Sequence, residues 1–415
     1  MSSSALEQQD PEIFTSIQAE TVRQEFELEL IASENYASLA VMEAAGSVLM
    51  NKYSEGYPGK RYYAWQINID VVENLAIARA KELFGAEYIN VQPLSGSPAN
   101  LAVYLGLLNP GDTVLGMSLD QGGHLSHGHP LNFSGLLYKI VSYGVDKQTE
   151  TIDMDEVERI AMESKPHMII AGFSAYSRDL DWKRFRDIAD KVGAYLMADI
   201  SHIAGLIAGK VLENPVPYCD VVTTTTHKTL RGPRWAIIMA RENLGPTIAR
   251  AVFPGVQWGP HENLIAAKAV AFKEAMDPAF HIYAGQVVKN AQALAKNLAS
   301  QGLRVVSWGT DNHLMLLDVF GSYGITGKEA EKALEIVGIS TNKNMIPFDP
   351  RKPLDPSGIR IGTPAITTRG MKQDEMETLG KIIIKTLMNR ENSSELEIIK
   401  QEVKNLCVKF PLYKV

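Results

Sequence analysis

The feature that most constrains this fold is the alternation of apolar strands and helices in the middle of the 415-residue chain. Apolar runs at 168–173 and 195–199 follow one another, and a segment with helical spacing, 182–192, lies between them. Strands that are apolar along their whole length are typical of a parallel sheet covered on both faces. The pattern therefore predicts an α/β fold with a mostly parallel central sheet.

The length of the chain favours two or three domains, since domains average ~150 residues. We predict an N-terminal helical arm over 1–40, a large domain over 41–290 that carries the binding site, and a smaller α+β domain over 291–415. The large domain contains the strand and helix alternation. The small domain follows a helical stretch that begins near residue 264.

Composition limits the class of partner and compartment. A formal charge of −7 argues against a dedicated nucleic-acid binder, which carries a basic surface. Only Cys219 and Cys407 are present, which fits a reducing compartment without a disulfide framework. The polar, acidic start does not look like a signal peptide, and no apolar run reaches the ~20 residues of a membrane span. We therefore predict a cytoplasmic protein without membrane contact.

Three local expectations concern element boundaries. Residues 11–50 are predicted to form two helices around a turn in which Ser33 is an N-cap. The small-residue run 95–100 is predicted to open a helix over 101–108. A buried strand is predicted over 219–226, from the apolar run 219–222 into the segment 223–234, TTTTHKTLRGPR.

That segment carries the first candidate for chemistry, Lys228. A basic side chain just past a buried strand lies where open α/β sheets bind ligands. Burial and the like charges of Arg231 and Arg234 would both lower the pKa of its amine. Such an amine can attack a carbonyl, which is the Schiff-base use of lysine. Taken alone, a loop lysine is more often simply solvated.

Other polar side chains follow neighbouring strands and strengthen this interpretation. Ser174, Asp199 and His202 come at or just after strand ends, so we expect them to converge with Lys228 on one site. The turn 95–97 offers free backbone N–H groups to a phosphate. An aspartate at a strand end, a lysine one strand onward and a phosphate-binding turn upstream together suggest pyridoxal phosphate. Arg360 could bind an amino-acid carboxylate through two parallel hydrogen bonds.

The histidines at 124, 127 and 129 also allow a metal interpretation. No cysteine or acidic ligand accompanies them in the sequence, and zinc sites usually draw on such groups. A histidine stacked on a flat cofactor is the preferred alternative. We predict no metal.

Several long motifs resemble those of the serine hydroxymethyltransferase family, over residues 25 to 371. They are ASENY at 32–36, YSEGYPGKRYY at 53–63, NVQP at 90–93, SGS at 95–97, GGHL at 122–125, FSAYSR at 173–178, the segment 223–234, AVFPG at 251–255 and RIGTPA at 360–365. The resemblance implies the aspartate-aminotransferase-like type I fold and a homodimer or dimer of dimers that uses pyridoxal phosphate.

The resemblance also assigns roles by position. Lys228 would carry the cofactor, Asp199 would pair with its ring nitrogen, and His124 would stack on the ring. The remaining cofactor contacts would be Ser174, His202, Thr225, Gly96 and Ser97, together with Tyr53 and Gly259 of the neighbouring subunit. The substrate groups would be Ser33 and Arg360 for the carboxylate, Glu55 of the neighbouring subunit for the serine hydroxyl proton, and Tyr63 beside it. His227 would be a further catalytic residue, and folate would lie against Tyr62, Leu119, Gly122, Gly123, Leu125 and Asn344.

The implied reaction transfers the hydroxymethyl group of serine to tetrahydrofolate and gives glycine and 5,10-methylenetetrahydrofolate. Two alternatives remain at this point. One is a folate-independent aldolase or transaldolase acting on β-hydroxy amino acids, and the other is a catalytically weak relative with a binding or structural role.

The sequence departs from the family pattern where tryptophans replace glycines. Trp65, Trp235 and Trp258 stand at such positions, and Pro98 follows the SGS turn. The tryptophans would either narrow the cofactor or substrate space or simply repack with neighbouring aromatic rings. Whether they change activity is open from the sequence, as are dimer versus tetramer and the substrate preference beyond serine and glycine.

Overall fold

The computed structural model describes residues 4–413. Its strands are β1 (Leu28–Glu29), β2 (Gly56–Tyr57), β3 (Lys60–Arg61), β4 (Tyr88–Asn90), β5 (Thr113–Met117), β6 (Lys139–Tyr143), β7 (Met168–Gly172), β8 (Tyr195–Asp199), β9 (Val221–Thr225), β10 (Ala236–Ala240), β11 (Arg304–Val305), β12 (Leu314–Asp318), β13 (Ile339–Ser340), β14 (Asn342–Asn344) and β15 (Gly358–Gly362).

The α-helices are α1 (Ala5–Gln9), α2 (Pro11–Phe26), α3 (Leu39–Ala45), α4 (Ile67–Phe84), α5 (Gly96–Leu107), α6 (Phe133–Leu137), α7 (Met154–Ser164), α8 (Trp182–Val192), α9 (Ala204–Ala208), α10 (Gly245–Arg250), α11 (Glu262–Ala275), α12 (Pro278–Ser300), α13 (Val319–Tyr323), α14 (Gly327–Ile336), α15 (Pro364–Thr368), α16 (Gln373–Met388) and α17 (Ser393–Val408). Short 3₁₀ turns and one irregular helical turn, Ala251–Val256, join some of them.

The larger sheet has the strand order β4-β10-β9-β8-β7-β5-β6. The pairs from β9 to β6 are parallel, whereas β10 is antiparallel to both β4 and β9. The segment 226–235 is shorter than the roughly dozen residues that a parallel crossover needs, which explains the reversed strand. The predicted α/β fold with a mostly parallel sheet is confirmed.

Both faces of this sheet are buried. Along β7, Ile169 and Ala171 join one hydrophobic cluster, while Met168 and Ile170 join another on the opposite face. Successive side chains of a strand point to opposite faces, so a strand covered on both sides must be apolar throughout. This is the physical reason for the uninterrupted apolar runs.

Helix α8 shows how the sequence sets the covering helices. The Asp181 carboxylate caps its N-terminus by accepting from the Arg184 backbone N–H at 2.9 Å, and Gly193 ends it in the left-handed conformation. The buried residues Trp182, Phe185, Ile188 and Ala189 are spaced for one helix face. The predicted helix 182–192 has these bounds.

A second, antiparallel sheet has the order β11-β12-β15-β14 and packs with α12, α14, α16 and α17 around a separate hydrophobic cluster. The N-terminal strand β1 pairs with β13 beside this cluster, through Leu28 and Ile339. Helix α12 continues across residue 290 without interruption. The division at residues 40 and 290 stays a prediction.

Two expected boundaries were wrong, and a third agrees with the structure. Ser38, not Ser33, caps the helix that follows, because its hydroxyl accepts from the Val41 backbone N–H at 3.2 Å. Helix α5 begins at Gly96 rather than at 101, since the proline at 98 is compatible with a first helical turn. The strand expected over 219–226 is present as β9, Val221–Thr225, because buried β-branched threonines suit a strand.

Between residues 4 and 413, no helix combines the length and the apolar composition needed to cross a membrane.

Candidate active site

A cavity of about 360 Å³ lies at the carboxyl ends of the parallel strands. Its walls contain Ser33, Glu34, Ser95, Gly96, Ser97, His124, Phe173, Ser174, Asp199, Ser201, His202, Thr225, His227, Lys228, Arg234 and Arg360. Asp199 is the last residue of β8, and Lys228 follows β9 by three positions. The predicted convergence of Ser174, Asp199, His202 and Lys228 is confirmed.

The amine of Lys228 is desolvated in this cavity. Its residue is only 8% exposed, and burial lowers the pKa of the amine to about 8. The charge of Asp199 opposes the shift, while Arg360 and Arg234 add to it. The prediction that Arg231 lowers the pKa of Lys228 was wrong. Its guanidinium stacks instead on the ring of Tyr283 in α12, with Cζ 4.5 Å from the ring centroid.

The carboxylate of Asp199 is held by three donors. Asn100 Nδ2 and His127 Nε2 lie 2.9 and 3.1 Å from Oδ2, and the Ser201 backbone N–H donates to Oδ1 at 3.1 Å. Asn100 is itself fixed by a 2.7 Å hydrogen bond from Thr223. Burial alone would raise the pKa of Asp199. The hydrogen bond and charge of His127, the charge of His124 and the hydrogen bond from Ser201 together outweigh burial and keep the pKa well below its usual range. A buried negative charge therefore faces the cavity.

The histidine cluster differs from the sequence argument in one respect. An acidic group does accompany it, because ligand atoms of His124, His127 and Asp199 lie within 4.8 Å of one another. These atoms already have protein partners, since His124 Nδ1 lies 2.7 Å from Ser126 Oγ and His127 bonds Asp199. Burial lowers the pKa of His124 to about 4, so its ring is neutral and suits stacking on a flat ligand. His129 is not part of the cluster.

The opposite end of the cavity suits a phosphate. Helix α5 starts there, with Ser95 as its N-cap, and the first backbone N–H groups of a helix have no partner within it. A Cβ on Gly96 would come within 2.9 Å of Thr225 Cγ2, so the close approach requires glycine. Pro98 is the third helical residue and removes one of these N–H donors, while those of Gly96 and Ser97 remain.

Arg360 closes the cavity from β15 of the second sheet. Its Nη1 donates to the Ser174 carbonyl oxygen at 2.7 Å and its Nε to Asn342 Oδ1 at 3.1 Å. Burial lowers the pKa of the guanidinium to about 10. Ser33 lies on the same cavity wall. A fixed guanidinium of this kind can bind a carboxylate in bidentate geometry.

The residues in the cavity fit pyridoxal phosphate. A buried lysine amine, a held carboxylate and the first turn of α5 supply the three groups that this cofactor needs. In addition, the Nδ1 atom of His227 is buried without a hydrogen-bond partner among residues 4–413, and burial lowers the pKa of its ring to about 3. A polar group of a ligand would satisfy it.

A second cavity of about 640 Å³ adjoins the first and shares His124 and Ser174 with it. Among the residues predicted for folate, Leu119, Gly123, Leu125 and Asn344 line this space. Gly122 lies behind it, where its carbonyl oxygen accepts from the Ser174 backbone N–H at 2.8 Å. Tyr62 is elsewhere, packed 5.6 Å from the ring of Phe253.

A further group of predicted residues does not line the Lys228 cavity. Tyr53, Glu55, Tyr63 and Gly259 lie together at the β2–β3 hairpin and the loop that follows Val256. The rings of Tyr53 and Tyr63 meet edge to face at 5.5 Å. The Tyr53 ring also lies next to the Gly259 backbone. These are residues that the resemblance expects from a neighbouring subunit.

The three tryptophans at glycine positions do not line the Lys228 cavity either. Trp65 is 89% exposed and has φ +61°, a backbone conformation that favours glycine. Trp258 is 59% exposed and packs on Phe253 at 6.0 Å. Trp235 is 6% exposed and packs against His261 at 5.1 Å. These contacts favour repacking over a narrowed cofactor space within one chain.

Sequence reasoning missed several residues of the site. Asn100 was not predicted, although it lies one helical turn beyond Gly96 and its amide reaches Asp199. His313 stacks on His202 at 5.4 Å, and only the tertiary fold brings this pair together. Other lining residues without a predicted role are Glu34, Phe173 and Ser201.

The fold and this donor set define a pyridoxal-phosphate-dependent enzyme of the type I fold. The family model for serine hydroxymethyltransferase matches residues 6–383 of the chain. A serine hydroxymethyltransferase of Koribacter versatilis (strain Ellin345) is 57% identical over 411 residues, which cover 99% of this chain and 96% of that relative. The chain belongs to the serine hydroxymethyltransferase family.

Proposed function

We propose that the chain catalyses the reaction of its family at the Lys228 cavity. The hydroxymethyl group of serine passes to tetrahydrofolate, and glycine and 5,10-methylenetetrahydrofolate are the products. The observation that carries the proposal is the buried Lys228 amine in the same cavity as the held Asp199 carboxylate, at the strand ends of a type I fold. The family match supports the same reaction.

Lys228 would hold pyridoxal phosphate in the resting protein, and the cofactor, passed from this amine to that of serine, would supply the electron sink for cleavage of the Cα–Cβ bond. In this proposal Asp199 keeps a proton on the ring nitrogen, because its carboxylate is held ionised by Asn100 and His127. His124 would lie against the ring, and it would do so as a neutral imidazole because burial lowers its pKa to about 4. The backbone N–H groups of Gly96 and Ser97 hold the phosphate at the start of α5.

The remaining cofactor contacts are proposed from the residues that line the cavity. Ser174 and His202 would bond the hydroxyl side of the ring, and Thr225 would lie beside the phosphate. His227 would form a hydrogen bond to the cofactor or the substrate through Nδ1, which has no partner among residues 4–413.

The substrate is oriented by Arg360 and Ser33, which bind the carboxylate of serine. The Arg360 guanidinium is already fixed by Ser174 and Asn342, so little entropy is lost when the carboxylate binds. Glu55 accepts the proton of the serine hydroxyl, and Tyr63 assists beside it. Folate lies in the adjoining cavity against Leu119, Gly123, Leu125 and Asn344. Gly122 and Tyr62 are proposed as further folate contacts, although neither lines that cavity in its own chain.

In this proposal, one group of residues acts in the site of a second subunit rather than in that of its own chain. The group consists of Glu55, Tyr53, Tyr63, Gly259 and Tyr62. Their absence from the lining of their own chain's cavity supports a homodimer, or a dimer of dimers, with shared sites.

Mixing two inactive variants, Lys228→Ala and Glu55→Gln, tests whether two subunits share each site. Hybrid dimers contain one intact site, so a statistical mixture should regain up to about a quarter of wild-type activity. No recovery, in a mixture shown to have exchanged subunits, would contradict it.

The reaction itself is tested by glycine formation from serine with and without tetrahydrofolate. The proposal expects turnover that depends on both pyridoxal phosphate and the folate. Equal turnover without folate would instead identify an aldolase acting on β-hydroxy amino acids. A purified chain that binds no cofactor would identify a non-catalytic role.

We also propose the cytoplasm as the compartment. Cys219 and Cys407 are both free and buried, which suits a reducing environment.

A further inference from the structure

A buried carboxyl outside the cavity, Glu262, has no role in the proposed reaction. It is the first residue of α11 and has no solvent exposure. Its Oε1 accepts a hydrogen bond from the hydroxyl of Ser54, and its Oε2 has no partner among residues 4–413. Burial, with the nearby charge of Glu73, raises the pKa of Glu262 to about 7. Burying such a group is costly, so its contacts with the protein require an explanation.

The residue that Glu262 holds lies between two proposed site residues. Ser54 is itself fully buried, and its neighbours Tyr53 and Glu55 are the groups assigned to the cofactor and to the serine proton. The hydroxyl of Tyr53 interacts with the Glu55 carboxyl and with the Gly259 backbone N–H, which lies three residues before Glu262. The loop at Gly259 and the first residue of α11, Glu262, therefore contact the segment 53–55 at two points.

The backbone of Ser54 is fixed from the other side. Arg61 Nη1 donates to the Ser54 carbonyl oxygen at 3.1 Å, and Arg61 Nη2 pairs with Glu73 at 2.6 Å. Lys268, also buried on α11, donates to the carbonyl oxygens of Val91 and Ala236 rather than to Glu262. The hydroxyl bond to Glu262 is thus the side-chain restraint on Ser54, and it complements the backbone restraint from Arg61.

We propose that Glu262 is a positioning residue, whose bond to Ser54 sets the orientation of Tyr53 and Glu55 for the shared site. This inference rests on the proposed function, because it uses the roles given there to Tyr53 and Glu55. It adds a residue that contacts neither cofactor nor substrate. The restraint acts through one side-chain hydrogen bond between α11 and the segment 53–55.

The test compares Glu262→Met with Glu262→Gln. Methionine keeps the volume without an acceptor, whereas the glutamine amide oxygen can still accept from Ser54. In cofactor titrations of the full-length protein, Glu262→Met should raise the Kd of pyridoxal phosphate about tenfold or more, and Glu262→Gln by less than about threefold. Hydrogen exchange of the backbone at 53–57 should accelerate only in Glu262→Met.

The same helix provides a matched control. Glu274, near the other end of α11, accepts from the hydroxyl of Ser38 at 2.5 Å and lies outside the cavity. Glu274→Met should lower the melting temperature without changing the Kd or the exchange at 53–57. If Glu262→Met does not fold, Ser54→Ala removes the same bond from the other side and should raise the Kd.

Two results would overturn the inference. One is an unchanged Kd in Glu262→Met or Ser54→Ala, even if exchange at 53–57 accelerates. The other is a Kd that rises equally in Glu262→Met and Glu274→Met, since that indicates a general loss of stability. Tyr53→Phe in the otherwise native chain distinguishes a failure of the inference about Glu262 from a failure of the proposed function. If Tyr53→Phe leaves the Kd unchanged, the role assigned to Tyr53 is wrong whatever Glu262 does.

Discussion

Nε2 of His127 lies 3.1 Å from Oδ2 of Asp199, and both side chains are buried. The same oxygen accepts from Asn100 at 2.9 Å. Two donors on one oxygen fix the direction of the carboxylate before any ligand arrives. A cofactor ring nitrogen would therefore meet a preorganised negative charge, and no reorganisation is needed during the reaction.

Removing one of these donors should destabilise the fold measurably. Asn100→Ala leaves a buried charge with one hydrogen bond fewer, and we expect the free energy of unfolding to fall by about 1.5–3 kcal/mol. Urea denaturation measures it. Thr223→Val is the matched control, because it removes only the 2.7 Å bond to Asn100 and should cost less. Equal losses of unfolding free energy in the two variants would contradict the claim that the hydrogen bond to the buried charge of Asp199 is the more stabilising one.

The amine of Lys228 should titrate near pH 8 in the cofactor-free chain, because burial lowers its pKa. The folded chain prefers the neutral amine, so this group's contribution to stability is lost as the pH falls from about 10.4 through 8. Acetylation of Lys228, followed by mass spectrometry, should rise with pH and level off just above 8. Asp199→Asn removes the opposing charge and should move the midpoint lower. A midpoint near 10.4 would contradict the burial argument.

Arg360→Lys should weaken serine binding without affecting the cofactor. Lysine keeps the charge but cannot form the planar pair of hydrogen bonds with a carboxylate. We expect KM for serine to rise about tenfold or more, since a hydrogen bond to a charged group contributes about 1.5–3 kcal/mol. The Kd for pyridoxal phosphate should stay within about twofold of the wild-type value. An unchanged KM would assign the carboxylate to another residue.

The tryptophans at 65 and 235 should respond oppositely to replacement by glycine. Trp235 fills buried space, so Trp235→Gly should lower the free energy of unfolding by about 3–5 kcal/mol. Trp65 has a left-handed backbone and little burial, so Trp65→Gly should leave stability within about 1 kcal/mol of wild type or raise it. Thermal and urea unfolding measure both. A large loss in Trp65→Gly would mean that its indole is buried by contacts outside a single chain.

The sequence predicted the central fold because local patterns and tertiary burial agree there. Helix 182–192 and strand 195–199 have the expected bounds, since capping residues and apolar spacing specify them locally. Ser33 was predicted as a cap because any serine before a helix is a candidate. Only the backbone geometry shows that Ser38 accepts the hydrogen bond.

The site was predictable at strand ends and much less so elsewhere. Asp199 and Lys228 follow buried strands, so topology alone brings them together. Asn100 reaches the site from α5, and His313 reaches it from the loop just before β12. No local pattern distinguishes them from structural residues. The acidic partner of the histidine cluster was missed for the same reason, since 72 positions separate His127 from Asp199.

The most direct test of the account is to locate the lysine that carries the cofactor. The protein is loaded with pyridoxal phosphate, reduced with borohydride and digested, and the modified peptide is identified by mass spectrometry. The account predicts a single phosphopyridoxyl group on Lys228, which disappears in Lys228→Ala. Modification of a different lysine, or none in a correctly folded protein, would contradict it.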